Sequence, residues 1–78
     1  MHVYVIRSII RPDQIYVGMT ENIERRLKEH NWGLCPHTSK FRPWDLEITV
    51  WLSDSKKAIP FERWLKSGSG RAFRNRHF

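Results

Sequence analysis

Arg26 and His30, four residues apart, fall where a helix that packs on a sheet should show apolar side chains. Residues 22–31 read as that helix: Asn22 can cap it and Gly33 can stop it. Ile23, Arg26, Leu27 and His30 stand at i, i+3, i+4 and i+7, which is one stripe. Arg25, Lys28 and Glu29 lie outside it, where charges normally belong. Stranding a charge in a core costs several kcal/mol or more, so an inward Arg–His pair needs a partner or a cleft, unless both sit at an exposed border. The chemistry on offer is anion binding.

The rest of the composition agrees with an anionic ligand. Fourteen Lys and Arg oppose eight acidic residues, for a net charge of +6. The cations are spread along the whole chain: Arg25 and Lys28, Lys40 and Arg42, Lys56 and Lys57, Arg63 and Lys66, Arg71, Arg74 and Arg76. If folding gathers several on one face, the expected partner is a polyanion, because phosphate contacts release counterions. A merely soluble basic protein is the competing reading, and charge alone does not separate the two. Ser69 precedes a basic segment beginning at Arg71, and the free N–H groups of a helix start attract anions, so a phosphate contact near Ser69 is weighed against a plain turn.

Other classes are excluded or disfavoured. Cys35 is the only cysteine, which rules out an internal disulfide and a cysteine-rich zinc site. His30, Cys35 and His37 match no metal-ligand spacing with a mechanism behind it. The first ten residues, MHVYVIRSII, lack a positively charged start and carry Arg7 inside the apolar run; they are too short to span a bilayer and do not resemble a signal peptide. An intracellular, cytoplasmic protein with no membrane partner is expected.

The elements that must position these groups follow from periodicity. Residues 1–78 are expected to form a single domain, with the four Trp, four Phe and two Tyr packed in its core. Val3–Ile10 is β-branched and nearly continuously hydrophobic, as a buried central strand is. Pro12 and Asp13 suit the centre of a turn, Ile15-Tyr16-Val17 returns as the second strand of a hairpin, and Gly18 ends it where a backbone approaches closely. After the helix comes a loop over 33–44. Asp45–Leu52 then alternates, with Leu46, Ile48, Val50 and Leu52 on one face and Glu47, Thr49 and Trp51 on the other. Ser53-Asp54-Ser55 offers caps for a helix to Lys66, striped by Ala58, Phe61 and Leu65 and bordered by Glu62. Pro60 predicts a kink there, or a helix that properly begins near it. Ser67-Gly68-Ser69-Gly70 breaks the chain before a short basic helix over Arg71–His77. The order is β-β-α-β-α-α: an α+β fold, a three-stranded antiparallel sheet flanked by helices.

Val3-Tyr4-Val5, Tyr16-Val17-Gly18 about ten residues later, and Arg26 and His30 on the following helix together resemble the core of the GIY-YIG nucleases, a family that includes homing and excision-repair endonucleases. The stretch YVGMTENIERRLKEHN is the most specific part, and HTSKFRPW and FERWLKSGSGRAF are similar to short, single-domain members. The first motif is degenerate: His2-Val3-Tyr4 stands where the family name has Gly-Ile-Tyr.

The resemblance implies an endonuclease that hydrolyses DNA phosphodiester bonds with one Mg²⁺ or Mn²⁺ ion, acting on branched or damaged DNA. It implies Glu62 as the metal ligand and Arg26 as the phosphate-holding fork. A tyrosine is the general base: Tyr4 or Tyr16, which hairpin pairing can bring to one face, with Tyr4 preferred and the other positioning phosphate. An ordinary phenol has a pKa of about 10, so nearby positive charge is expected to bring it down into range. His30 would bond a tyrosine or the phosphate. Arg25, His37, Lys40, Arg42, Lys66, Ser69 and Arg71 are candidate nucleic-acid contacts. Two other readings stay open: a catalytically silent nucleic-acid-binding module using the same basic cleft, and an interaction subunit, or homodimer, docking through exposed Trp residues.

Overall fold

The computed structural model describes residues 1–77, and for His77 the backbone alone. Strand β1 (His2–Ser8) and strand β2 (Ile15–Thr20) form a hairpin, followed by helix α1 (Ile23–Asn31), a single 3₁₀ turn (Ser39–Phe41), strand β3 (Trp44–Trp51), helix α2 (Ser55–Lys66) and helix α3 (Gly68–His77). The sheet order is β2-β1-β3, antiparallel throughout. The expected α+β architecture is what forms.

Because β1 is central, alternation along it sends its side chains into two different cores. Val3 and Val5 join Val17, Ala58 and Leu65, with Phe61 alongside, which places α2 on that face. Tyr4 and Ile6 join Trp44, with Tyr16, Ile23, Leu27 and Phe41 alongside, which places α1 on the other. Among the described residues no helix is long and apolar enough to cross a membrane.

Several boundaries differ from the sequence expectation. β1 stops at Ser8, and Ile9 and Ile10 are exposed rather than continuing the strand. Ser8 begins the turn by accepting from the Arg11 N–H (3.0 Å), while Gln14 N–H reaches Arg11 C=O (2.8 Å) across Pro12 and Asp13. β2 does not end at Gly18 but runs on to Thr20. α2 begins at Ser55, capped by Asp54 accepting from Lys56 N–H, and runs past Pro60 without restarting. α3 begins at Gly68, so the break shrinks to Ser67.

The alternation of β3 also fails at one place. Val5 pairs with Ile48 but Ile6 pairs with Leu46, so Glu47 is the extra residue of a β-bulge. Directly opposed residues share a face, so Leu46 turns to the α1 side while Ile48 stays with Val5. Glu47 instead accepts from Arg7 Nε at 2.7 Å. The aromatics depart from expectation too. Trp44 is buried, but Trp32, Trp51 and Trp64 are exposed, because they stand at a helix end, an edge-strand end and the outer side of α2.

Candidate active site

The α1 face of the hairpin carries the polar chemistry. Tyr4 in β1 lies opposite Gly18 in β2, two residues beyond Tyr16. A Cβ at Gly18 would sit 2.6 Å from the Tyr4 hydroxyl oxygen and 2.9 Å from a Tyr16 ring carbon, so only glycine leaves room for the two rings. The close approach expected at Gly18 is therefore present, though within the strand rather than at its end.

α1 brings His30 down between these rings. Its cap is formed as expected, Asn22 Oδ1 accepting from Arg25 N–H at 3.0 Å, and Gly33 follows the helix with φ +79°. The side chain of Asn31 bonds both the N–H and the C=O of Trp44, fixing the helix end to β3. His30 is fully buried; its ring centroid is 5.8 Å from that of Tyr4 and 5.1 Å from that of Tyr16.

Both ring nitrogens of His30 are used. Nε2 meets the Tyr4 hydroxyl at 2.8 Å, and Nδ1 meets Thr38 Oγ1 at 2.7 Å. Thr38 in turn donates to Cys35 C=O at 3.4 Å, so its oxygen is left to accept from Nδ1–H. That assigns Nε2 as the acceptor of the Tyr4 O–H. Burial, helped by the Arg26 charge and opposed by Glu29, lowers the His30 pKa to about 4, so the ring is neutral at neutral pH.

Arg26 stands at the rim of the cluster. Its guanidinium pairs with Glu29 at 3.5 Å and approaches Cys35 Sγ at 4.0 Å. The expected effect on Tyr4 is reversed. Burial raises the Tyr4 pKa to about 12 even though Arg26 pulls it down, because desolvating the phenolate outweighs one partly solvated cation. The inward Arg–His pair of the sequence thus has both a partner and a site.

Tyr4, Tyr16, Arg26 and His30 come together, whereas Glu62 does not touch them in any described contact. Glu62 lies on α2, largely covered, with Lys66 Nζ 2.9 Å from its carboxylate. Among the described residues no group of three or more His, Cys, Asp or Glu side chains could hold a metal. Glu62 itself offers one carboxylate, a hard oxygen donor of the kind that suits an ion keeping most of its water. Arg25, His37, Lys40 and Arg42 are exposed on α1 and the loop that follows it, Lys66 is the Glu62 partner, and Ser69 and Arg71 are exposed in the first turn of α3. Thr38 was not singled out by sequence reasoning; a buried loop threonine leaves no periodic signal.

A family model described as the GIY-YIG catalytic domain matches residues 1–76. The chain is 39% identical over 80 residues to the structure-specific endonuclease subunit SLX1 of Malassezia globosa, covering 95% of this chain and 18% of that protein. To the protein of the same description from Debaryomyces hansenii it is 39% identical over 71 residues, covering 82% and 20%. To that from Candida dubliniensis it is 34% identical over 82 residues, covering 96% and 27%. The chain thus spans about a fifth of the length of the first of these relatives. No solved structure matches it.

Proposed function

Since the chain belongs to the GIY-YIG catalytic domain family, whose nucleases are metal-dependent, we propose that it is an endonuclease that hydrolyses DNA phosphodiester bonds at branched structures. The observation that carries this reading is the buried Tyr4–His30–Thr38 network with Arg26 at its rim. Simple phosphate binding does not require such a network. The substrate class draws support from the relatives, which are described as structure-specific endonucleases.

In this reading Tyr4 takes the proton of the attacking water as it passes its own to His30 Nε2. Nε2 carries the free lone pair, with Thr38 holding the proton on Nδ1. Burial and Arg26 disfavour the imidazolium, so the proton stays on Nε2 only while the anionic phosphate lies alongside. A phenol pushed up to about 12 is almost wholly protonated at neutral pH, so it accepts the water's proton only as it gives up its own. Arg26 holds a phosphoryl oxygen through its planar fork. Tyr16, on the same face, orients the phosphate. Glu62, on α2, would hold a Mg²⁺ or Mn²⁺ ion, which would relieve charge on the phosphate and leaving oxygens of a DNA substrate that spans the α1 cluster and α2. Lys66, 2.9 Å from the same carboxylate, would have to release it for an ion to bind.

The test is incubation of the purified chain with labelled duplex, flap and four-way DNA plus Mg²⁺ or Mn²⁺. Nicking that is lost in Glu62→Gln and Arg26→Ala supports the reading; salt-sensitive binding with no cleavage of any substrate replaces it with a silent binding module. A protein partner also belongs to the proposal, because the relatives are described as subunits and Trp64 is exposed between Phe61 (6.2 Å) and Phe73 (5.6 Å).

A further inference from the structure

On the α2 face, away from the tyrosines, a second basic locus is built from distant parts of the chain. α3 crosses closely over the end of α2: a Cβ at Gly70 would sit 1.9 Å from Trp64 C=O. That approach drives Arg74 into the protein, where it is only 7% exposed and its Nε donates to Leu65 C=O at 3.1 Å. The remaining nitrogens of this guanidinium have no carboxylate partner among the described residues. Beside it opens a cavity of about 370 Å³ between the hairpin turn and α3, lined by Asp13, Gln14, Ile15, Arg71, Arg74 and Asn75.

Buried cations are ordinarily paired, and the neighbours here make the imbalance worse. Burial, then the charges of Arg71 and Arg7, pull the Arg74 pKa below its ordinary value. Arg7 is already engaged by Glu47, and it reaches this face because it pairs with Ile15 across the hairpin. Asp13, on the rim, is held by Arg11 at 3.3 Å and by Gln14 Nε2 at 3.4 Å, so its charge is compensated locally. An anion in the cavity would offset the mutual repulsion of the arginines and meet the Asn75 amide.

We propose that Arg71, Arg74 and Asn75, with Gln14 opposite, form a phosphate site for the nucleic-acid backbone, separate from the tyrosine cluster and on the other face of the sheet. Two phosphate-gripping loci on opposite faces suit a ligand with more than one arm. That last step rests on the nuclease reading; the phosphate site itself does not.

The experiment follows the Arg74 Nε–Hε signal and the side-chain amides of Gln14 and Asn75 in ¹H–¹⁵N spectra of the full chain, without metal. Inorganic phosphate and a short DNA duplex are titrated separately. Both should move these three signals, and Arg71→Gln should lower the salt dependence of duplex binding by about one counterion. Arg71 is exposed, so this variant spares the Arg74 bond to α2. Signals unmoved by either titrant, or an unchanged salt slope, overturn the proposal. Movement with inorganic phosphate alone makes this a small-anion site and overturns the nucleic-acid assignment. A chain that cleaves no substrate yet shows both shifts fails the nuclease reading and keeps this one.

Discussion

The two faces of the sheet solve the burial of polar groups in opposite ways. On the α1 face, His30, Thr38 and Tyr4 are all fully covered, and each hands its hydrogen bond to the next. On the α2 face the core is apolar, Val3, Val5, Val17, Ala58 and Leu65, and polarity is pushed to a rim where Arg74 has no carboxylate partner among the described residues. The closed network is specific, because any missing member strands a partner. The open rim is receptive, because it is incomplete. The proposed catalysis uses the first kind of surface and the proposed phosphate capture the second.

The largest effect should come from the closed side. Tyr4→Phe removes one hydroxyl from the relay and should lower cleavage by roughly 100- to 10,000-fold while the circular dichroism spectrum is retained. Residual cleavage within tenfold of the parent would remove Tyr4 from the reaction. Next comes acid. His30 titrates near 4 when folded and near 6.5 when unfolded, so between these values only the unfolded chain takes up the proton. Stability is complete above pH 6.5 and is lost as pH falls through about 4, by roughly 3 kcal/mol from this group. Urea unfolding between pH 7 and 4 measures it, and His30→Gln should flatten the profile.

On the other face the contrast is between two glycines of α3. Gly70→Ala forces a methyl against the backbone of α2 and should cost about 1–3 kcal/mol, whereas nothing lies within 4 Å of a Cβ at Gly68. Gly68→Ala should therefore be neutral or slightly stabilising, by up to about 1 kcal/mol. Equal melting shifts for the two variants would mean that α3 does not sit tightly on α2. Smallest is Lys66→Ala, which opens a half-exposed ion pair one helical turn long and should change stability by only about 0.3–0.5 kcal/mol. A loss above 1 kcal/mol would show that the Glu62 carboxylate depends on Lys66.

Much of this was legible in the sequence, for identifiable reasons. Periodicity carried the element order, and the Arg26–His30 stripe marked the site because charges on an inward face are costly. Tyr4, Tyr16, Arg26 and His30, on regular elements, come together as expected; Glu62 does not join them, and Thr38, on a loop, was not foreseen. Hydrophobicity alone misled at Ile9 and Ile10, where a serine turn overrides the apolar run. Alternation misled at Leu46, because a single inserted residue reverses every side chain beyond it. The tyrosine was misjudged in sign: counting nearby cations says nothing about how deeply the phenol is covered. Three of the four tryptophans proved exposed because residue type does not say where an element ends.

Ser67 alone separates α2 from α3. Its N–H and hydroxyl both donate to Trp64 C=O, closing the first helix, and its hydroxyl accepts from Gly70 N–H, opening the second. One serine thus closes the first helix and opens the second, and the two are expected to unfold as one cooperative unit. Their amides should then exchange with solvent together, and the cavity beside Arg74 should open and close with that unit.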